Sequence, residues 1–428
     1  MNWAANCKTS NSRARAMSGE VFIFADWEQF DEPAFVGTLR STTIKSKEHF
    51  SFAYADAWLT SELAQQLDPD LQLYPGDQHA KNAKNFRAFL DSCPDRWGRM
   101  LMKRREAVLA HRDNRRARVL NEFDYLLGVH DFYRMGALRF KRSMDGPFLD
   151  NDDQLAAPPF ARLGELEQAV RRIEEQSDPD DPDYRQWLYL LIAPGSSLGG
   201  ARPKASVIDE NNALWIAKFP SRQDEYDVAA WEYVVHKLAL RAGISMSQCR
   251  VETLKGPYRT FITQRFDRTP QSRLHFSSAM TQLGYYDGDD DASYLELAEF
   301  LVNDGSDTEA DLAQLWRRII FSIAVSNTDD HLRNHGFIYQ KGGWKLSPAY
   351  DINPVTPAAG LHLFITDNDN RLDYALAMDV IDFFRLQRSE AMKIQDEVLA
   401  AAGHWRTEAA ALKIGRAEQN QMADAFNV

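Results

Sequence analysis

Cysteine is scarce in this chain: three in 428 residues, Cys7, Cys93 and Cys249, far apart. So few cannot build a disulfide framework, and their spacing matches no zinc site, so a reducing cytoplasm is the expected compartment. Long apolar runs are missing too. The longest, Ile319 to Val325, is broken by Ser322 and falls well short of the roughly 18 residues a membrane span needs. The first residues lack the apolar stretch of a secretion signal. Residues 1–17 are polar and are expected to form a flexible arm, with Met17 as an alternative start. An excess of positive charge is also absent. The 50 Lys and Arg against 62 Asp and Glu leave a net charge of −12. That excludes a chain gripping nucleic acid over its whole surface through phosphate neutralisation. Local basic patches remain, such as Lys103-Arg104-Arg105 and Arg112 to Arg118.

What is present is a core. Hydrophobic residues make up 44% and aromatics 11%, which fits a folded chain of two or three domains. Strand-like alternation runs through Val21 to Phe24, Ala34 to Leu39 and Phe50 to Tyr54, and helical patterns follow as far as Val129. Residues 18–150 read as an N-terminal α+β subdomain. Asp, Gly and Pro over 143–160 suggest a linker. The stretch 151–268 alternates between a glycine-rich turn, strands at Ala205–Ile208 and Leu214–Phe219, the Ala229–Ala242 helix, and strands at 249–254 and 258–266. From 269 to 428 the chain is mostly helical, interrupted by a hairpin between Gly336 and Pro348.

The strongest chemical signal lies in that hairpin's flanks. Asp329 and Asn334 stand five apart, and Asp351 follows 17 residues after Asn334, beyond the strand-turn-strand. Phosphoryl transfer needs this set. One carboxylate orients the attacking hydroxyl and takes its proton, while an amide oxygen and a second carboxylate hold Mg²⁺ on the nucleotide phosphates. Asp330 is a rival for the base, and the spacing to Asn334 selects Asp329. Alone, the two aspartates would be a polar turn after the Leu315–Val325 helix. His331 and Arg333 add cations near the phosphates. His331 and His335 are four apart, but Gly336 ends any helix there, against a zinc site. Upstream, Gly195 to Lys204 forms a glycine-rich loop able to cradle phosphates. It fits neither the Walker A pattern nor G-x-G-x-x-G. Ile216-Ala217-Lys218 resembles the strand whose lysine holds the α- and β-phosphates. Such a lysine needs a carboxylate from the next helix, and Glu232 is the first choice, Glu225 the second.

Together, Ser197 to Lys204, Ala217-Lys218-Phe219, Gln264 to Arg268, Asn327 to Phe337 and Pro348 to Pro354 resemble the HipA family of bacterial serine/threonine kinases, toxins of type II toxin–antitoxin systems. The resemblance runs from about residue 20 to 410. It implies an α+β, two-lobed protein-kinase-like fold, with a β-rich N-lobe (151–268) and a helical C-lobe (269–428), preceded by an additional N-terminal β-rich subdomain. It implies ATP and Mg²⁺ as cofactors. Asp329 is then the proton acceptor, and Asn334 and Asp351 the metal ligands. Gly199, Gly200, Ala201, Arg202, Pro203, Lys204 and Lys218 hold phosphates. Gln264, Arg265 and Phe266 form the hinge beside adenine, with His331, Arg333 and Tyr350 completing the nucleotide site. Ser197 matches the family's autophosphorylated serine, with Ser196 the alternative. The implied partners are a protein substrate such as an aminoacyl-tRNA synthetase and a small helix-turn-helix antitoxin, through which the complex reaches DNA; no membrane is involved. Two other readings share these residues: a small-molecule phosphotransferase, and a catalytically silent kinase fold kept for binding.

Overall fold

The structure is a computed structural model that describes residues 18–45, 47–81, 84–150, 158–175, 178, 181–195, 200–289 and 291–428. Strands β1 (Ser18–Ala25), β2 (Ala34–Ile44), β3 (Lys47–Tyr54), β4 (Gln78–His79) and β5 (Leu138–Lys141) form the first sheet. It is antiparallel, in the order β4-β3-β2-β1-β5. Alternation decides which face is inside: Phe50, Phe52 and Tyr54 of β3 are buried with Val21, Ile23, Val36 and Leu39. Trp58, Phe86, Phe89 and Phe140 fill the same core.

The second sheet contains β6 (Lys204–Ile208), β7 (Leu214–Lys218), β8 (Cys249–Glu252) and β9 (Thr260–Gln264), in the antiparallel order β6-β7-β9-β8. The Val228–Arg241 helix follows β7. Asp227 starts it by accepting the Ala230 N–H at 3.1 Å, and Gly243 just after its end adopts φ +77°, which glycine tolerates. The other face of this sheet packs on the helices Leu163–Glu175 and Pro182–Gly195. A third helix from far upstream, Arg96–Arg112, shares that core through Trp97, Leu101 and Val108. The division at residue 150 therefore separates stretches of sequence but not hydrophobic cores. Nor is all of 143–160 a loose linker. Lys141 bridges to Phe148, whose ring meets Phe24 edge-on at 5.5 Å; residues 151–157 lie outside the described part.

The third unit is helical around Thr308–Ala324, whose Leu312, Leu315, Trp316, Ile319, Ile320 and Ile323 are fully buried. Beside it lie β10 (Phe276–Ser278), β11 (Gly336–Gln340) and β12 (Gly343–Leu346), paired in that order. The seam between the first unit and the rest is buried and specific. Trp27 stacks on His275 with ring centres 4.4 Å apart. Asp267 accepts from Arg265 at 2.6 Å, Arg268 at 2.7 Å and the Gly136 N–H at 2.8 Å. No helix among the described residues is long and apolar enough to cross a membrane.

Candidate active site

The Thr308–Ala324 helix ends in a turn at Ser326, which has φ +49°. Asn427 ties the turn down, donating to the Ser326 hydroxyl at 3.0 Å and the Ile323 carbonyl at 2.8 Å. The turn separates the two adjacent aspartates. Asp329 is exposed, whereas Asp330 is buried. Asp330 sits 2.5 Å from the Tyr294 hydroxyl and 3.0 Å from His335 Nε2. Burial would raise its pKa, but His335 and Tyr294 outweigh that and hold it below the usual carboxylate range. It is an ionised anchor with no access to a substrate. The way the loop turns leaves Asp329, the residue the spacing selects, as the one of the pair open to solvent.

Asn334 donates its amide N–H to the Asp329 carbonyl at 2.9 Å, which leaves the amide oxygen for another role. The loop is stitched to the Asp351 segment. Asn327 Oδ1 accepts the Asn353 N–H at 3.1 Å, and the Val355 N–H reaches the Ser326 carbonyl at 3.2 Å. Asp351 has φ +58°, a left-handed conformation that aspartate bears better than most side chains and that collects at functional sites. Its carboxylate faces Lys218.

Lys218, at the end of β7, is the hub. Its Nζ lies 2.5 Å from Glu232 Oε1 and 2.6 Å from Asp351 Oδ1. Glu225 is exposed and elsewhere. Burial works against the Lys218 ammonium, and Asp351 and Glu232 outweigh it, so its pKa is held above the usual value. For Asp351 burial is again opposed, by Lys218 first and Lys204 next, and its carboxyl is held well below the usual range. Both groups are therefore charged at neutral pH.

Around the glycine loop, Gly199, Ser196 and Ser197 lie outside the described residues. Gly200 has φ +92°, a backbone conformation that favours glycine, and a side-chain carbon there would stand 2.7 Å from Lys204 Nζ. Pro203 and Lys204 are buried and Ala201 is exposed. Arg202 forms a two-pronged pair with Asp224 instead of standing open to solvent. At the expected hinge the structure departs from a side-chain role for Arg265. Its guanidinium is buried against Asp267 and the Tyr133 carbonyl, 2.7 Å away, and its N–H bonds Leu214. That arginine side chain seals the seam between units. Gln264 and Phe266 are half-buried. The Phe266 ring lies 5.4 Å from that of Tyr350, whose hydroxyl donates to the Arg333 carbonyl at 2.7 Å. His331 abuts His362, with ring centres 5.8 Å apart. Arg333 is exposed and reaches Asp287 at 3.7 Å.

The donor chemistry suits a hard cation. The Asp351 carboxylate and the Asn334 amide oxygen are oxygen donors of the kind that Mg²⁺ takes. Three contributors went unseen in the sequence. Asn327 and Asn353 sit inside the quoted motifs, but their mutual bond is not a matter of spacing. Asp95 lies 109 residues before its partner, Lys204.

Fold and site define a two-lobed, protein-kinase-like protein with an added N-terminal β-rich subdomain. The family model described as HipA-like C-terminal domain matches residues 196–411, just over half of the chain. The chain belongs to the HipA-like family. A kinase-named protein of Haemophilus influenzae is 28% identical over 206 residues, 42% of this chain and 60% of that protein. A kinase-named protein of Sinorhizobium fredii is 28% identical over 158 residues, 33% of this chain and 38% of that one. The matched part is thus less than two thirds of either relative's length. Among solved structures, Shewanella oneidensis MR-1 HipA, in complex with HipB and its operator DNA, has the same fold. It is 15% identical, with 91% of this chain and 92% of that one covered at a TM-score of 0.64.

Proposed function

We propose that this chain is an ATP- and Mg²⁺-dependent serine/threonine protein kinase that acts as the toxin of a type II toxin–antitoxin system in the cytoplasm. The observation that carries the reading is Lys218, held at once by Glu232 from its own lobe and Asp351 from the other. A lysine so placed can lie along the nucleotide phosphates, and the double pairing fixes the two lobes relative to each other. Asp329, exposed at the tip of its loop, orients the acceptor hydroxyl and takes its proton. Asn334 and Asp351 hold Mg²⁺, which, when bound, neutralises phosphate charge. Lys204 and the Gly200 backbone approach the phosphates, and Gln264 to Phe266 lie beside adenine through main-chain groups and the Phe266 ring.

A translation component such as an aminoacyl-tRNA synthetase is the acceptor we favour. The family's glycine-loop serine, Ser197 here, with Ser196 second, is the site of autophosphorylation. The Shewanella HipA complex supports a helix-turn-helix antitoxin as partner, with DNA reached through it.

The test is transfer of labelled γ-phosphate from Mg-ATP by the purified full chain, offered a panel of aminoacyl-tRNA synthetases, sugars and aminoglycosides. Label should appear on protein serine or threonine and fall by at least about a hundredfold in Lys218→Met. Label confined to small alcohols, or undiminished transfer by Lys218→Met, would overturn the reading.

A further inference from the structure

Lys204 and Lys218 stand directly opposite each other in the β6–β7 pairing. Directly paired residues of an antiparallel sheet point to the same face, and like charges there repel. Both lysines are enclosed: Lys204 is 3% exposed, and the Lys218 side chain 13%. Such a pair persists only if each ammonium has its own counter-charge. Lys218 has Glu232 and Asp351. Lys204 has Asp95, from the N-terminal subdomain, with Nζ 3.3 Å from Asp95 Oδ2 and both side chains 4% exposed.

Asp95 is itself immobilised. Its other oxygen, Oδ1, accepts the Gly98 N–H at 2.8 Å and so caps the Arg96–Arg112 helix. At the second residue of that helix, buried Trp97 donates its indole N–H to the Lys204 carbonyl at 3.0 Å. The start of β6 is thus held twice, by main chain and by side chain, from one helix N-terminus. Gly200, with no side chain, lies over the same ammonium. The helix carries this hold into a core shared with Val207, Ala217 and Phe219.

We propose that Asp95 and Trp97 are positioning residues of the phosphate site: the N-terminal subdomain sets where the Lys204 ammonium stands beneath the glycine loop. This rests on the kinase reading above. It means that the first subdomain supplies part of the nucleotide site and does more than pack against it. Burial pushes the Asp95 carboxyl up to about 6, against the pull of Lys204 and the Gly98 N–H, and pushes Lys204 down. Both directions match a charge pair held away from water by the surrounding fold.

Asp95→Asn is the discriminating variant. Asparagine caps a helix as well as aspartate does, so the helix start survives while the charge is lost. We expect kcat for phosphate transfer to fall about tenfold to a hundredfold, as for other small misplacements of a catalytic cation, with KM for ATP little changed and the unfolding midpoint lowered, because the buried Lys204 ammonium loses its counter-charge. Trp97→Phe should give a smaller loss of the same kind. In a Lys204→Met background Asp95→Asn should add less than about twofold, because it acts only through Lys204. Losses that multiply in the double variant, or wild-type kcat in Asp95→Asn, would overturn the proposal. If the wild-type chain transfers no phosphate at all, the kinase reading fails. The hold on Lys204 is then judged by unfolding midpoints of the same four proteins. Non-additive shifts support it, and additive shifts sink it.

Discussion

The two sides of the candidate site, its N-lobe and C-lobe walls, are built in different ways. On the C-lobe wall the partners of the catalytic loop come mainly from the stretch between Tyr294 and Val355, helped by Asn427: Asp330 with Tyr294 and His335, Asn327 with Asn353, Asn334 with Asp329. On the N-lobe wall Lys218 finds one partner nearby, Glu232 14 residues on, but each lysine also finds a partner in remote chain. Lys204 pairs with Asp95 across 109 residues, and Lys218 with Asp351 across 133. A loop with near partners closes little chain and leaves a compact motif. A wall made of distant segments exists only once whole subdomains have docked. The first is written as spacing, the second as topology.

The sharpest way to break this comparison is on the C-lobe wall, where neighbouring aspartates have opposite surroundings. Asp329→Asn should lower kcat by about 10²- to 10⁴-fold, because a positioned base acts mainly in the transition state. ATP affinity and the unfolding midpoint should hardly move, since the side chain is exposed. Steady-state kinetics and calorimetry check this, and near wild-type turnover would remove Asp329 from its role.

The neighbouring change should do the reverse. Asp330→Asn removes the buried charge that faces His335 and Tyr294, at an expected cost of about 3 kcal/mol in stability. Activity per folded molecule should fall far less than in Asp329→Asn. Thermal unfolding read beside kcat decides it; a stable but inactive Asp330→Asn protein would reverse the two assignments.

The smallest effect concerns acid, and it compares the walls directly. His236, on the Glu232 helix of the N-lobe, is pushed down to about 4 by burial, and His275, at the C-lobe seam, to about 3. An unfolded imidazole titrates near ~6.5. Between these values the unfolded chain binds more protons than the folded one. The stability these residues contribute is therefore full above about pH 6.5 and is lost as pH falls. By about pH 5 each accounts for about 2 kcal/mol. His275→Phe and His236→Phe should each flatten part of the fall in unfolding midpoint between about pH 7 and 5. A pH profile unchanged in both would show that neither buried ring governs acid lability.

Much of this was legible in advance. Alternation marked β1 to β3, and the span from β6 to β9 with its helix was readable from apolar periodicity and from Gly243. Asp329, Asn334 and Asp351 could be singled out because their separation is set by one loop and one hairpin. Other features were not. The short strands β4 and β5 carry too few residues for a pattern, and β10 is defined by its pairing with β11. Arg265 lies in a stretch that reads as a nucleotide hinge, yet its guanidinium turns into the seam, because Asp267 two residues on and the Tyr133 carbonyl from another subdomain offer it buried partners.

By itself, the sequence determined the elements, the chemistry available in the catalytic segments and the lysine on β7, because periodicity and spacing are local properties of the chain. Tertiary structure alone decided which of two adjacent aspartates faces solvent, that Asp351 joins Glu232 in holding Lys218 and that an N-terminal helix holds Lys204. Those outcomes depend on burial and on charges meeting across distances in sequence that no spacing encodes, and a charge in a buried site takes whatever partner the packed fold delivers to it.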